Sequence, residues 1–81
     1  MNLQLIQGQF NTNDAVDIIT QAVQIKIKFH EEKINHSSNE EDIKMREARI
    51  KQLQKNLFDT RQYIEQAGSS IAIKSEIQLS V

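Results

Sequence analysis

The segment HEEKINH, residues 30–36, is the part of the chain that comes nearest to a metal site. Metalloproteases of the zincin type place two histidines four residues apart, on one face of a helix. His30 and His36 are six residues apart, which separates them by about 240° on a continuous helix. No third ligand accompanies them. We therefore expect no functional metal site, with His30 beside a packed face and His36 in a solvated loop.

Carboxylates and serines are the remaining residues with catalytic potential. Acidic residues cluster at 31–32 and 40–42, and serines occur at 37–38 and 69–70. Acid–base catalysis also requires a cleft, and two narrow helices offer little concavity. Serines at the boundaries of elements are typical of caps and turns. No nucleophile elbow or P-loop is present. We expect a protein that is not an enzyme and binds no cofactor.

Three lysines of the second predicted helix share one side: Lys44, Lys51 and Lys55. Contacts from such a row to phosphates would give weak, salt-dependent and sequence-nonspecific binding to nucleic acid. No aromatic residues interleave with the lysines to stack on bases, and the net charge is −1. Ion pairs at i,i+4 are predicted for Glu40–Lys44, Asp42–Arg46 and Glu47–Lys51. Nucleic-acid binding is therefore the alternative function.

Met45, Arg49 and Tyr63 form a second group on the same helix. Met45 and Tyr63 fall on nearly one line along the helix, with Arg49 beside it. Methionine, arginine and tyrosine are typical anchors at protein interfaces. Two interpretations fit this spacing: a site for an unidentified partner protein, or packing between two copies of the chain.

Composition indicates that the chain needs a partner to complete its fold. Its 81 residues form one domain near the lower size limit for a self-sufficient core. Small domains usually depend on a disulfide, a metal or association, and the chain has no cysteine. Association is therefore expected.

No segment approaches the roughly 20 apolar residues of a membrane span, and no signal peptide is evident. We expect a cytoplasmic protein without a membrane partner; size alone suggests a compact bacterial or mobile-element gene.

The first half of the chain predicts a strand followed by a helix. Alternation of Met1, Leu3 and Leu5 with polar residues predicts a strand over 2–7 that ends near Gly8. A helix over 12–35 follows, capped by Asn11 or by residue 12. The alternation in AVQIKIKF is a local part of a helical pattern, because no turn signal interrupts it. The apolar residues of this helix cover an arc of roughly 200°, which predicts at least two neighbours.

The second helix is predicted over 39–67. Ser38 with Glu41, or Ser37 with Glu40, fits a capping box, and Gly68 is a favourable terminator. Apolar residues recur every seven positions in a coiled-coil-like seam, which Arg46 interrupts. The seam consists of Ile43, Ile50, Leu57 and Ile64, with Leu53, Thr60 and Ala67 at the alternate positions. A short loop between long helices predicts an antiparallel helical hairpin.

A last strand is predicted over 70–80, where apolar and polar residues alternate strictly. The order is therefore β-α-α-β, an α+β fold in which the terminal strands meet antiparallel. The last strand outruns the first, which leaves Ile77 to Val81 without a partner strand in the chain.

These features predict a homodimer with a four-helix layer. The candidate interface residues are Ile25, Ile27, Phe29, Phe58, Ile77 and Leu79. The predicted function is a non-catalytic interaction or regulatory module, of the adaptor or inhibitor type.

Overall fold

A computed structural model describes all residues, 1–81, and has the predicted α+β order β-α-α-β. Strand β1 spans Asn2–Asn11, helix α1 spans Thr12–Asn35, helix α2 spans Glu40–Ala67, and strand β2 spans Ser70–Gln78. The helical hairpin returns the chain to its starting end, where β1 and β2 form a two-stranded antiparallel sheet. The predicted fold class is confirmed.

The ends of both helices at the sheet side are defined by local hydrogen bonds. Asn11 caps α1, because its side-chain oxygen accepts the N–H of Asp14 at 2.8 Å. Gly68 ends α2 with φ of 96°, a conformation that favours glycine. The Thr12 hydroxyl donates to the Gly68 carbonyl. This bond ties the start of α1 to the end of α2 and to the point where β2 departs.

Helix α2 begins at a cap that the spacing of the serines did not predict. The side-chain oxygen of Asn39 accepts the N–H groups of Glu41 and Asp42 at 2.9 and 3.1 Å. The predicted capping boxes on Ser38 and Ser37 are therefore wrong. The Ser37 hydroxyl instead accepts the N–H of Asn39 at 3.2 Å. Asparagine is at least as good a cap as serine, and its use moves the helix start to Glu40.

The two helices pack along the predicted seam. On α2 the less exposed residues are Ile43, Arg46, Ile50, Leu53, Leu57, Thr60 and Ile64, while Ala67 is exposed at the helix end. The corresponding residues of α1 include Ala15, Ile19, Val23, Ile27, His30 and Ile34. Both sets repeat at spacings of three and four residues, which places each set on one face of its helix. The seam therefore joins α1 to α2 within the chain.

A polar cluster occupies the seam near the hairpin loop. Arg46 Nε donates to Asp42 Oδ2 at 3.2 Å, and the Arg46 side chain is only 18% exposed. Arg46 Nη1 lies 3.1 Å from His30 Nδ1 on α1. A guanidinium can only donate, so the imidazole nitrogen accepts. The arginine that interrupts the heptad pattern is thus matched by a polar partner across the hairpin.

Strand β1 is longer than predicted and contains a β-bulge. Gly8 lies inside the strand, opposite Ile73, rather than at its end. Asn2 to Gln4 pair in one register and Ile6 to Asn11 in another, which leaves Leu5 without a cross-strand partner. Side chains alternate between the two faces of a strand, and the extra residue shifts that alternation by one. Leu3 and Ile6 therefore lie on the same face of the sheet.

The prediction that β2 outruns β1 is wrong. Ile77 lies opposite Leu3. Beyond it, the Leu79 N–H donates to the Met1 carbonyl at 2.8 Å, and the Met1 amino group donates to the Leu79 carbonyl at 2.9 Å. β1 reaches this far because it includes residues that were predicted to form a turn. The backbone of β2 is therefore paired along one edge, and only its other edge is open.

The fold encloses almost no core. Only Ala15 and Ile64 are buried, among 81 residues. The radius of gyration is 15.2 Å, whereas a compact domain of this length has about 12 Å. The molecule measures 46 × 32 × 13 Å, so it is a thin body. Most of its apolar side chains lie on outer surfaces.

Replacing the cap of α2 tests the assignment of Asn39. We expect Asn39→Ala to lower the free energy of unfolding by about 1 kcal/mol, because two backbone N–H groups lose their acceptor. Ser38→Ala is the matched control and should change it by less than about 0.5 kcal/mol. Urea unfolding at one fixed protein concentration measures both. A larger loss for Ser38→Ala would contradict the assignment.

Candidate interaction surface

One face of the sheet is a continuous apolar surface. The register and the bulge place on it Leu3, Ile6 and Phe10 from β1 with Ile71, Ile73 and Ile77 from β2. Both helices contact the sheet, and Phe10, Ile71 and Ile73 are half-buried near the helix ends. The opposite face carries the polar side chains Gln4, Gln7, Gln9, Lys74, Glu76 and Gln78. The sheet is therefore built to be covered on one side only.

The far end of this apolar face is uncovered. Ile77 is 38% exposed, Leu3 43%, Leu79 55% and Met1 84%. We call these four residues the sheet patch. They form two cross-strand pairs at the end of the sheet farthest from the helices. Contiguous exposed apolar residues of this kind mark interaction sites in soluble proteins. Of the predicted interface residues, the structure brings Ile77 and Leu79 together here.

A groove runs along the helical hairpin on one side. It is open to solvent and has a volume of about 760 Å³. Its lining is formed by Gln21, Gln24, Ile25, Ile27, Lys28, Glu31, Gln54 and Leu57. Ile27 is half-buried, and its position in the seam accounts for that burial within one chain. Ile25 is 72% exposed and Phe58, one turn after Gln54, is 62% exposed. Ile25 and Phe58 therefore remain candidate contacts on this side.

Phe29 lies apart from the sheet patch, near the hairpin loop. The Lys33 ammonium lies 5.5 Å from the centre of its ring, and the Arg46 guanidinium 5.9 Å. The His30 ring meets it edge-on, with 5.8 Å between ring centres. Cations at these distances attract the face of an aromatic ring. Phe29 is thus partly covered by its own chain. The contact with Arg46 was not predicted, because it crosses between the two helices.

The predicted partner site on α2 is divided in the structure. Met45, Arg49 and Tyr63 are all exposed. Met45 and Arg49 are one helical turn apart and adjacent on the surface. Tyr63 follows Met45 by 18 residues, a separation of about 27 Å along the helix axis. The three residues share a side of α2, but they do not form one compact site.

The lysine row is exposed and only partly paired. Lys55 Nζ donates to Asp59 Oδ2 at 3.1 Å. Of the three predicted i,i+4 ion pairs, Asp42–Arg46 forms, whereas Lys44 and Lys51 have no carboxylate within 4.0 Å. Lys44 and Lys51 therefore have ammonium groups free for other ligands.

The two histidines have separate neighbours. His30 Nδ1 faces Arg46, and His36 Nδ1 lies 2.9 Å from the Glu32 carbonyl oxygen at the end of α1. No group of three histidine, cysteine or acidic residues is arranged to hold a metal ion. The segment HEEKINH thus does not converge on a common point.

Comparison of the chain with protein-family models, curated proteins and solved structures finds no match. Neither helix combines the length and the apolarity required to cross a bilayer. The surfaces described above are therefore the features of the chain that bear on its function.

Adjacent residues of α2 provide a test of the exposed position of Tyr63. Tyr63→Ala should change the free energy of unfolding by less than about 0.5 kcal/mol, as for an exposed side chain. Ile64→Ala should lower it by about 3 kcal/mol, because Ile64 is 3% exposed. Thermal and urea unfolding measure both variants. A loss for Tyr63→Ala similar to that for Ile64→Ala would contradict a free surface and would assign Tyr63 to packing between copies.

Proposed function

We propose that this chain is a non-catalytic protein-interaction module of the adaptor or inhibitor type, which acts as a homodimer in the cytoplasm. The observation that carries the proposal is the uncovered apolar face of the sheet. A fold in which only Ala15 and Ile64 are buried leaves more apolar surface than a single copy covers. A two-stranded sheet is also marginally stable by itself. A second copy supplies the missing cover without any other component.

The free energies of apolar burial and of association indicate how much contact such a dimer requires. Burial of a Leu or Ile side chain stabilises by about 1.5–3 kcal/mol, so covering two half-exposed sheet patches supplies on the order of 10 kcal/mol. Association costs about 4–15 kcal/mol in lost rotational and translational freedom. The sheet patch is therefore sufficient to drive dimerisation only together with further contacts. Ile25, Phe29 and Phe58 are candidates for these contacts.

In the proposed dimer, the outer side of α2 stays exposed and can bind a different protein. Met45 with Arg49, and Tyr63 farther along the helix, are exposed there. Residues of these types contribute strongly to binding when a partner buries them. A dimer presents this side twice, which increases the avidity for a partner with two binding sites.

Light scattering after size exclusion tests the dimer. We expect a mass of about 19 kDa, twice the 9.4 kDa of one chain. The double variant Leu3→Ser with Ile77→Ser should raise the dimer Kd by about tenfold or more, because it removes one cross-strand pair of the sheet patch.

The matched control is Gln9→Ser with Ala72→Ser, which alters a cross-strand pair on the opposite, polar face. This control should remain a dimer. A single-chain mass for the unmodified protein at micromolar concentration would remove the proposal. Equal weakening by both double variants would show that the sheet patch is not the contact.

A second candidate function is weak, sequence-nonspecific binding of nucleic acid by the dimer through Lys44, Lys51 and Lys55. The observation that favours it is the exposure of all three residues, with Lys44 and Lys51 unpaired. Fluorescence titration with duplex and single-stranded DNA at low and moderate salt tests it. Binding at low salt that is lost in Lys44→Glu with Lys51→Glu would support this function. Absence of binding at low salt would exclude it.

A further inference from the structure

Strand β2 has one open edge, and the hydrogen bonds of the sheet define which residues line it. Met1 and Leu79 exchange both of their backbone bonds, so Leu79 faces β1. Backbone groups alternate in direction along a strand, and β2 contains no bulge. The odd-numbered residues of β2 therefore bond to β1. The even-numbered residues, among them Lys74 and Glu76, direct their N–H and C=O groups to the open edge.

We propose that β2 pairs antiparallel with β2 of a second copy, with a twofold axis at Ser75. This inference rests on the proposed homodimer and specifies how it forms. Pairing joins the two sheets into one sheet of four strands. Around an axis at Ser75, even-numbered residues oppose even-numbered residues. Both strands thus offer their free backbone groups to each other, and Ser75 opposes its own counterpart in a pair without hydrogen bonds.

The charges of Lys74 and Glu76 favour this register over the registers shifted by one residue in either direction. With the axis at Ser75, Lys74 lies opposite Glu76 of the second copy, and Glu76 lies opposite Lys74. Opposite charges in directly facing positions stabilise a sheet, and like charges destabilise it. An axis moved by one residue would place Lys74 against Lys74, or Glu76 against Glu76. Both side chains are exposed and have no charged partner within the chain.

The same register covers the sheet patch. Ile77 of one copy lies beside Ile73 of the other, and Leu79 lies beside Ile71. The Ile71–Ile73 end of each sheet adjoins the ends of its own helices, and both residues are half-buried there. The helices of each copy are therefore brought over the exposed end of the other. The result is a layer of four helices on a sheet of four strands, which supplies the further contacts that the energetics require.

The edge of β1 is less suited to pairing. Leu5 forms a bulge there, and a bulge distorts the ladder and twists the strand. Charged residues on an edge strand also protect proteins from unwanted pairing. If Lys74 and Glu76 only protected the edge, reversing the charge of either residue alone would leave the oligomeric state unchanged. The two readings therefore give opposite results.

A cysteine at the proposed axis is the first test. The chain has no cysteine of its own. Facing residues in a pair without hydrogen bonds have Cα atoms about 4.5 Å apart, within the range that a disulfide spans. Ser75→Cys should form a covalent dimer under mild oxidation. Ala72→Cys is the control, because its counterpart would lie about 20 Å away along the strands. Equal cross-linking of both variants would overturn the register.

Charge variants are the second test. Lys74→Glu and Glu76→Lys should each weaken the dimer by about tenfold or more, since each creates two like-charge pairs. An equimolar mixture of the two variants should form a heterodimer, visible by native mass spectrometry, because every facing pair is again opposite in charge. Lys51→Glu on α2 is the control and should remain a homodimer.

The outcomes separate this inference from the function on which it rests. A protein of about 19 kDa, twice the 9.4 kDa chain, whose Ser75→Cys variant does not cross-link would overturn the register and retain the dimer. Charge variants that all remain dimers would do the same. A protein of single-chain mass would overturn both the register and the homodimer.

Discussion

The antiparallel ladder between β1 and β2 is the interaction on which the rest of the structure depends. It joins the two ends of the helical hairpin, and it orders the side chains of both strands into one apolar and one polar face. Without it, α1 and α2 would be held by a single seam, and helices in proteins gain most of their stability from packing against other elements. The ladder also fixes which backbone groups of β2 remain unpaired. The antiparallel ladder thus determines the fold, the apolar face and the open edge together.

The helical hairpin extends the molecule but buries few side chains. Its seam is two helices wide, so each helix has one covered side and one open side. Only where the helices meet the sheet do three elements converge, and the two buried residues, Ala15 and Ile64, lie in the first turns of α1 and the last turns of α2. At the other end, a polar cluster around Arg46 takes the place of apolar packing. Burial of apolar side chains along the hairpin therefore decreases with distance from the sheet.

Features that depend on local sequence were predictable. The seven-residue repeat from Ile43 to Ile64 identified the side of α2 that packs on α1, and Asn11 and Gly68 marked helix ends through their backbone preferences. The choice of Asn39 over the adjacent serines was not predictable, because all three residues are good caps. The contact of Arg46 with Phe29 and His30 depends on how the two helices align, which no single stretch of sequence specifies.

The register of the sheet was the most consequential feature that sequence patterning missed. Leu3 and Leu5 alternate regularly, which suggested one common face, but the adjacent pair Leu5 and Ile6 breaks the alternation. That break is the signal of the bulge, and it is ambiguous because a strand end gives the same pattern. The face on which Leu3 lies, and hence the extent of the sheet patch, is decided by cross-strand pairing.

The bulge at Leu5 also makes the two edges of the sheet unequal, and in the proposed dimer this would limit how far assembly proceeds. If both edges were regular, a copy joined at one edge would offer the other to the next, and growth would continue into a ribbon without end. When two copies use the same straight edge, only bulged edges remain outside. Polymerisation then stops at two, because one irregular residue terminates the ladder on either side.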